Sequence, residues 1–490
     1  MAESVGEQPA LAQPETGPQP PTPANAKGQR HIVIVGGGVI GSATAYFLTR
    51  HPRYDPALHQ ITLLEASSIA AGASGKAGGL LGLWAYPEEL VPLSYRLHRQ
   101  LAEEHGGAER WGYRTVGCGH IQAEVSRTDL DRRAAEVEEA KAAQIGRHPD
   151  TGANVDRKPM AETTNAINTH SELNQAQNIP EDEQKDWEKL PKQNAHAASL
   201  LAPSVLPTDL DWIDAAVVQS YDRMGVPGAY DTAQVHPFHF TTAMADLAKD
   251  RGVDIRVNAQ VTKLEATSEG THTVEYLDRP NNTTQKLCGV TDVVLSAGPW
   301  TGAVLPRTKI EGLRAHSVVW EADVSAYAVF TDVGVPSDYV PEHRRQAGQK
   351  RRRHRGRVDP EIYARPFGEV YACGEPDSNV PLPATADLVD HDASQCADLV
   401  AYVSTLSPIL AKSPVKVNQA CYLPRHIRFG DERGPLIGPT LTPGLWVASG
   451  HTCWGIQNGP ATGCLMAEML LDGMATSADV SKFDPRRFKV

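Results

Sequence analysis

A glycine-rich turn near the start of the chain constrains its fold more than any other feature. Residues 32–35 are apolar and β-branched, and they lead into Gly36-x-Gly38-x-x-Gly41 and then into a small-residue run typical of a helix. In such a unit the first glycine permits the tight turn, the second lets a pyrophosphate approach, and the third lets helix and strand pack closely. Unpaired N–H groups at the start of the helix favour bound phosphates. The pattern predicts a dinucleotide-binding βα unit.

A second apolar strand ends at Glu65, 24 residues after Gly41. A carboxylate at this point can accept hydrogen bonds from a ribose diol and repels a 2′-phosphate. These residues alone therefore predict FAD or NAD as the cofactor. Val39, Ile40 and Ala66 belong to the same turn and strand end, and we assign them to the predicted cofactor site.

The composition is that of a large globular enzyme. The chain has 490 residues, 41% of them hydrophobic and 22% charged, and a formal net charge of −12. An acidic chain disfavours nucleic-acid binding, because neutralising phosphates requires a basic face. No apolar run approaches the roughly 20 residues of a membrane span, and the proline-rich residues 1–30 lack the apolar core of a secretory signal. We expect a disordered N-terminal segment, a cytoplasmic location, and neither nucleic acid nor a membrane span.

Seven scattered cysteines without C-x-x-C spacing indicate free thiols in a reducing compartment, and no metal site is predicted. A charged helix is predicted over residues 128–144, a polar surface insertion over 145–200, and a second helix over 235–252. Strands are predicted over residues 254–264, 272–277 and 290–298. A basic cluster at 344–357 is interpreted as a solvated loop, with a nuclear-localisation or acidic-surface element as the alternative.

The order of motifs resembles the D-amino-acid oxidase or glycine/sarcosine oxidase superfamily of FAD-dependent oxidoreductases, and most closely its fungal members. The resemblance rests on the glycine turn with Glu65 and on segments 73–79, 261–264, 293–301, 435–439 and 450–463. It implies an α/β fold, α+β overall, with a discontinuous Rossmann-like FAD-binding domain and a second, mainly antiparallel β-sheet substrate domain. The expected FAD-binding parts are 31–95, 229–300 and 429–485. The expected substrate parts are 96–228 and 301–428, the latter with a basic loop at 335–358.

The resemblance also implies further cofactor-binding residues. Ser74 and Gly75 would lie against the pyrophosphate and flavin, and Val261 would hold the adenine through its backbone. The last helix would open towards the flavin, so that its dipole stabilises negative charge on the N1–C2 carbonyl region. The remaining residues assigned to this site are Lys76, Gly78, Gly79, Ala297, Gly298, Trp300, Gly450, His451, Gly455 and Ile456.

One departure from the family pattern concerns the substrate. Relatives that oxidise amino acids usually carry an arginine just before the Pro-x-Ile-Gly element, and it binds the substrate carboxylate. This chain has Leu423 there. Either Arg365, Arg425 or Lys76 substitutes for that arginine, or the substrate is not an ordinary amino acid.

The predicted activity is oxidation of the C–N bond of a small amine or amino-acid-like substrate by hydride transfer to flavin N5, with O₂ or another electron acceptor. His451 is the other candidate catalytic residue, and it or Lys76 could act as a cation near the ring. Two alternatives are an NAD-dependent dehydrogenase and a FAD-bearing scaffold that acts through residues 145–200 or 344–357. Cys421 falls where similar sarcosine oxidases attach flavin covalently, but other residues of that pattern are missing, so non-covalent FAD is predicted.

Overall fold

The computed structural model describes residues 29–145, 205–225, 231–351, 353 and 356–490. Nearly all of the predicted disordered segment 1–30 and of the polar insertion 145–200 lies outside these residues. So do residues 352, 354 and 355 of the basic cluster.

The strands of the described residues alternate with helices in the first part of the chain and dominate the middle. They are β1 Arg30–Val35, β2 His59–Leu64, β3 Leu80–Gly82, β4 Arg114–Thr115, β5 Gly117–Glu124, β6 Val218–Arg223, β7 Thr232–Gln234, β8 Asp254–Arg256, β9 Ala259–Ala266, β10 His272–Asp278, β11 Thr283–Val290, β12 Asp292–Leu295, β13 Ile310–Glu321, β14 Tyr327–Gly334, β15 Glu361–Arg365, β16 Glu369–Asp377, β17 Val415–Arg428, β18 Asp431–Arg433, β19 Leu436–Pro439 and β20 Leu445–Ser449. The helices are α1 Val39–Leu48, α2 Ala73–Lys76, α3 Val91–His105, α4 Gly107–Trp111, α5 Arg127–Ile145, α6 Pro237–Lys249, α7 Thr301–Val304, α8 Glu342–Gln346, α9 Ala393–Leu406 and α10 Gly455–Asp472.

A six-stranded sheet in the order β19-β20-β12-β1-β2-β8 forms the first layer, and every neighbouring pair except β19 and β20 is parallel. Alternate side chains of β1 enter different cores because successive residues of a strand point to opposite faces. Ile32 and Ile34 pack with α1, α6 and α10, whereas Val33 and Val35 pack with residues of β9 and β10. Burial on both faces explains why β1 is continuously apolar from Ile32 to Val35.

The first and last long helices of the described chain, α1 and α10, pack against each other beside this sheet. A Cβ on Gly463 of α10 would lie 2.6 Å from the backbone carbon of Ala43 in α1. Only a glycine permits this approach, since real Cβ atoms essentially never come so close. Residues more than 400 positions apart in the sequence thus share one core.

An eight-stranded sheet in the order β18-β17-β13-β16-β15-β14-β5-β6 forms the second unit. Its neighbouring pairs are antiparallel except β5 with β14. Ile362 of β15 packs in the core cluster that includes Leu399 and Val403 of α9. Strand alternation therefore turns Glu361 and Tyr363 to the opposite face.

Two three-stranded sheets, β11-β10-β9 and β3-β7-β4, complete the architecture. The single strand predicted over residues 254–264 is wrong, because the chain divides there into β8 and β9. Asn258 adopts a left-handed conformation with φ of 56° and donates its N–H to the carbonyl of Ser67. This turn lets β8 finish the parallel sheet and β9 begin the next one.

Other predicted elements agree with the structure. The helix predicted over residues 128–144 corresponds to α5 and that over 235–252 to α6, with Pro237 at its first position. The predicted fold class is confirmed: mixed α/β, with a mainly parallel sheet and a separate, mainly antiparallel one. No helix in the described ranges is long and apolar enough to cross a membrane.

The described residues of the basic cluster include arginines that are paired within the protein. Arg344 is buried and binds the carboxylate of Asp398, and Arg357 binds Asp332 and Glu124. These two guanidinium groups are therefore engaged in the fold, and the burial of Arg344 departs from the solvated-loop interpretation at that residue.

Candidate functional site

A cavity of about 520 Å³ lies where the carboxyl ends of the parallel strands meet one face of the eight-stranded sheet. Val35 and Leu64 line it at the ends of β1 and β2, and Ser317 and Tyr371 line it from β13 and β16. The carboxyl edge of an open parallel sheet is the usual place for a ligand in α/β proteins. The sequence-predicted cofactor residues that line this cavity are Gly36, Gly38, Val39, Ile40, Glu65, Ala66, Ser74, Gly78, Gly79, Val261, Ala297, Gly298, Trp300, Gly450, His451, Gly455 and Ile456.

The glycine turn has the close contacts that its sequence predicts. Gly36 has φ of 109°, and a Cβ on it would lie 2.5 Å from the carbonyl oxygen of Ser296. A Cβ on Gly41 would lie 2.0 Å from the carbonyl oxygen of Gly36, so Gly41 keeps α1 close to the strand without lining the cavity. Gly38, in contrast, faces the cavity at the start of α1.

Glu65 lines the cavity and also ties the turn together. One carboxylate oxygen accepts the backbone N–H of Gly37 at 2.8 Å, and the other accepts the N–H and hydroxyl of Ser67 at 2.8 and 2.9 Å. The side chain therefore holds the end of β2 against the glycine turn. Remaining lone pairs on its oxygens are what a hydroxyl-bearing ligand would use.

The other end of the cavity is formed by the loop that precedes α10. His451 is buried there, and a hydrogen bond of 2.9 Å joins its Nε2 to the hydroxyl of Thr462. Burial lowers the pKa of His451 to about 3. Since the ring is neutral near pH 7, the prediction that His451 acts as a cation beside the cavity is not supported. Gly455 and Ile456, the first residues of α10, line the cavity. The positive end of the helix dipole therefore lies at the cavity wall.

Lys76 and Gly75 do not line the cavity, although Ser74 beside them does. The ammonium group of Lys76 donates a hydrogen bond to the carbonyl of Ala420 at 3.0 Å, and burial lowers its pKa. Next to this carbonyl, Cys421 does line the cavity. Burial raises the pKa of the Cys421 thiol to about 11, although the charge of Lys76 opposes this shift.

Neither arginine predicted to bind a substrate carboxylate lines the cavity. Arg365 is buried and forms an ion pair of 2.6 Å with Glu369, which also contacts His236. Arg425 pairs with Glu311 at 3.1 Å on the outer part of β13 and β17. Leu423, where the family pattern has an arginine, does line the cavity.

A group of cavity residues from the eight-stranded sheet was missed by the sequence analysis. Their strands are β13 to β17, and the residues include Phe330, Glu361, Tyr363, Tyr371 and Cys373. The only signal for them in the sequence is an alternation of polar or aromatic residues with apolar ones in Glu361-Ile-Tyr-Ala-Arg365, which is typical of a strand with one face in the core. Which face would meet the cavity depends on pairing with distant strands, and the pattern alone does not specify it.

Among these residues, Glu361 is the one acidic group, and it has hydrogen-bond partners but no ion pair within the described residues. The hydroxyl of Tyr363 donates a hydrogen bond to one of its carboxylate oxygens, and the Cys373 sulfur lies 3.8 Å from that same oxygen. Burial raises the pKa of the Glu361 carboxyl above its usual range. No ion pair to Glu361 occurs among residues 29–145, 205–225, 231–351, 353 and 356–490.

The fold and the cavity together define the class of the protein: a Rossmann-like domain whose glycine turn opens into a cleft, covered by a second, mainly antiparallel β-sheet domain. The family model of FAD dependent oxidoreductases, DAO, matches residues 31–469. The chain belongs to this family.

Individual relatives agree with this assignment. The chain is 35% identical to the Saccharomyces cerevisiae protein named "Putative oxidoreductase TDA3", over 95% of this chain and 96% of that protein. Among solved structures, glycine oxidase from Geobacillus kaustophilus is similar with a TM-score of 0.56 at 19% identity, covering 93% of this chain and 98% of the oxidase. L-proline dehydrogenase from P. horikoshii has a TM-score of 0.56 at 15% identity, covering 94% and 98%. At these identities the two structures establish the shared fold.

Proposed function

We propose that the protein oxidises the C–N bond of a small amine, using FAD that is bound without a covalent link. The single observation that carries the proposal is one continuous cavity, which reaches from Glu65 and Val261 at the parallel sheet to the Tyr363 face of the antiparallel sheet. Such a cavity extends from the first domain, where a dinucleotide would lie, to the second, where a substrate would lie. Glycine oxidase and L-proline dehydrogenase, which share the fold, act on an amino acid by name.

The cavity wall fits an adenine dinucleotide. Near the start of α1 the wall includes Gly38, which has no side chain, and Ser74, which has a small one, so bound phosphates can approach the backbone closely. Glu65 has the position of a ribose ligand at the end of β2, and the neighbouring Val261 supplies backbone groups for an adenine. In this arrangement the negative pyrophosphate lies at the positive end of α1, which favours binding.

When bound, FAD supplies the acceptor for a hydride from the carbon next to the amine nitrogen. The chain contributes binding and orientation. The start of α10 at Gly455 places a positive helix end against the far end of the cavity, where it stabilises negative charge. Phe330, Tyr363 and Tyr371 form an apolar wall that excludes water from the reacting groups.

The protonation state of Cys421 supports the proposal of non-covalent binding. A thiol must lose its proton before it can act as a nucleophile, and a pKa of about 11 keeps the Cys421 thiol protonated near neutral pH. Arg425, the nearest arginine along the sequence, is paired with Glu311. The electron acceptor and a cytoplasmic location stay predictions.

Anaerobic mixing of the purified yellow protein with a library of amines tests the proposal. Loss of the flavin absorbance with at least one amine is expected, and the absence of bound nicotinamide would separate the protein from an NAD-dependent dehydrogenase. A protein that contains FAD but is bleached by no amine or amino acid would support the scaffold alternative, whose segment 145–200 lies outside the described residues.

A further inference from the structure

We propose that Glu361 binds the nitrogen of a cationic amine, and that the site selects amines which lack a carboxylate. This inference rests on the proposed amine oxidation and names its substrate class. In such a site a protein carboxylate binds the substrate nitrogen, whereas relatives that oxidise amino acids use an arginine to bind the substrate carboxylate.

The charge of the cavity is the first observation. Within the described part of the chain, its lining contains the carboxylates of Glu65 and Glu361 and no lysine or arginine. Glu65 lies at the dinucleotide end and is engaged by Gly37 and Ser67. Glu361 is therefore the acidic group left for a substrate.

The hydrogen bonds of Glu361 leave one of its oxygens available. The Tyr363 hydroxyl and the Cys373 sulfur both approach Oε2, and no described residue donates to Oε1. A partly buried carboxylate without a charged partner is costly unless a ligand or a proton compensates it. A substrate ammonium group within hydrogen-bonding distance of Oε1 would supply that compensation.

The register of the sheet explains why Glu361 faces the cavity. Glu361 pairs with Cys373 across β15 and β16, and Tyr363 pairs with Tyr371. Directly paired residues lie on the same face, and so do residues two apart along a strand. The four side chains consequently form one patch on the wall of the cavity.

An aromatic wall adjoins the carboxylate. The rings of Phe330 and Tyr363 meet edge to face at 5.8 Å, and those of Tyr363 and Tyr371 stack at 5.9 Å. Faces of aromatic rings attract ammonium groups, and the attraction is greater where water is excluded. The Glu361 carboxylate can bind the ammonium group of an amine, and the aromatic rings can pack against its hydrocarbon chain.

A substrate carboxylate would find no equivalent partner. Arg365 and Arg425 are paired elsewhere, and Lys76, which does not line the cavity, donates its ammonium N–H to the carbonyl of Ala420. A second carboxylate near Glu361 would also be repelled, since the two negative charges interact strongly in a desolvated site.

The same residue can hold the proton that the amine must lose. In the bound pair an N–H bond of the ammonium breaks, an O–H bond forms on Glu361, and the nitrogen keeps its lone pair. The raised pKa of the Glu361 carboxyl favours this transfer. Hydride loss from the adjacent carbon requires the neutral amine that results.

Binding of matched probes to the FAD-loaded protein tests the inference. The probes are n-alkylamines of three to six carbons and carboxylates of the same lengths, titrated anaerobically by calorimetry and by the change in flavin absorbance. We expect the amines to bind and the carboxylates to bind at least tenfold more weakly. In Glu361→Gln, amine affinity should fall roughly ten- to hundredfold, the range for a lost charge-assisted hydrogen bond, while FAD content stays unchanged.

The control variant is Glu321→Gln, which removes an exposed carboxylate at the end of β13 and should bind amines like the wild type. Tighter binding of carboxylates than of amines, no binding of any amine, or an unchanged amine affinity in Glu361→Gln would overturn the inference. Failure of the proposed function is a different result: amines would bind in a Glu361-dependent way but would not bleach the flavin.

Discussion

The hydroxyl of Ser74 accepts a hydrogen bond of 2.9 Å from the backbone N–H of Val39. This bond joins α2 to the first turn of α1, so the two walls of the predicted phosphate site are in direct contact. The bond also places Ser74 Oγ 3.0 Å from the position of a Cβ on Gly38. Any side chain at residue 38 must therefore enter the space between α1 and α2.

Gly38→Val should abolish FAD binding, because the added side chain fills the path by which phosphates approach the helix. The ratio of flavin to protein absorbance after purification measures this loss. Gly356→Val is the matched control, since a Cβ at Gly356 meets no atom within 4 Å. A folded Gly38→Val protein with full FAD content would contradict the assignment of the pyrophosphate site.

Glu65→Ala should weaken FAD binding by about one to two orders of magnitude, in line with roughly 1.5–3 kcal/mol for a lost charge-assisted hydrogen bond. The substitution also leaves the N–H groups of Gly37 and Ser67 without their acceptor, so the FAD-free protein should lose about 1–3 kcal/mol of unfolding free energy. Equilibrium dialysis of FAD and urea unfolding measure the two effects separately. Glu265→Ala, which removes an exposed carboxylate of β9, should change neither. Unchanged FAD affinity in Glu65→Ala would show that Glu65 is not a ribose ligand.

Acid precipitation should release the flavin of the wild-type protein into the supernatant. The reason is that burial keeps the Cys421 thiol protonated, so that it does not attack the flavin. Absorbance of the supernatant and pellet near the flavin band is the measurement. Yellow colour that stays in the pellet, and is lost in Cys421→Ser, would demonstrate a covalent link.

Acid should destabilise the fold through two buried histidines. Burial lowers the pKa of His98 to about 4 and that of His451 to about 3, whereas both return to about 6.5 on unfolding. As the pH falls below 6.5, the unfolded chain binds protons that the folded chain excludes, so the free energy of unfolding decreases. The expected loss at pH 5 is about 2 kcal/mol for each histidine, at about 1.4 kcal/mol per pH unit.

Urea unfolding at pH 7 and pH 5 measures this effect with FAD at saturation. The decrease between the two pH values should be smaller by about 2 kcal/mol in His98→Gln than in the wild type. His391→Gln, which changes a side chain that is 35% exposed, is the control. An equal decrease in wild type and His98→Gln would show that His98 is protonated in the folded state.

Prediction from the sequence worked best where structure is local. The turn from β1 through Gly36 and Gly38 to α1 depends on neighbouring residues, and its glycines have the expected close contacts. Prediction worked less well for residues 254–264, where a polar turn at Asn258 divides two strands of different sheets. The assignment of β8 and β9 to different sheets depends on the strands with which each one pairs, and those strands are distant in the sequence.

The sequence by itself determined the fold class, the βαβ cofactor unit and the resemblance to FAD-dependent oxidoreductases. Each of these depends on short motifs whose geometry is set by neighbouring residues. Only the tertiary structure decided the charge of the cavity. Arg365 and Arg425 are cations in the sequence, yet Glu369 and Glu311 pair with them outside the cavity. In the sequence Glu361 has no feature that marks it as a site residue. The pairing of β15 with β16 places its side chain on the face of the sheet that lines the cavity. Partner choice among distant strands sets which charges are buried, and no local pattern encodes that choice.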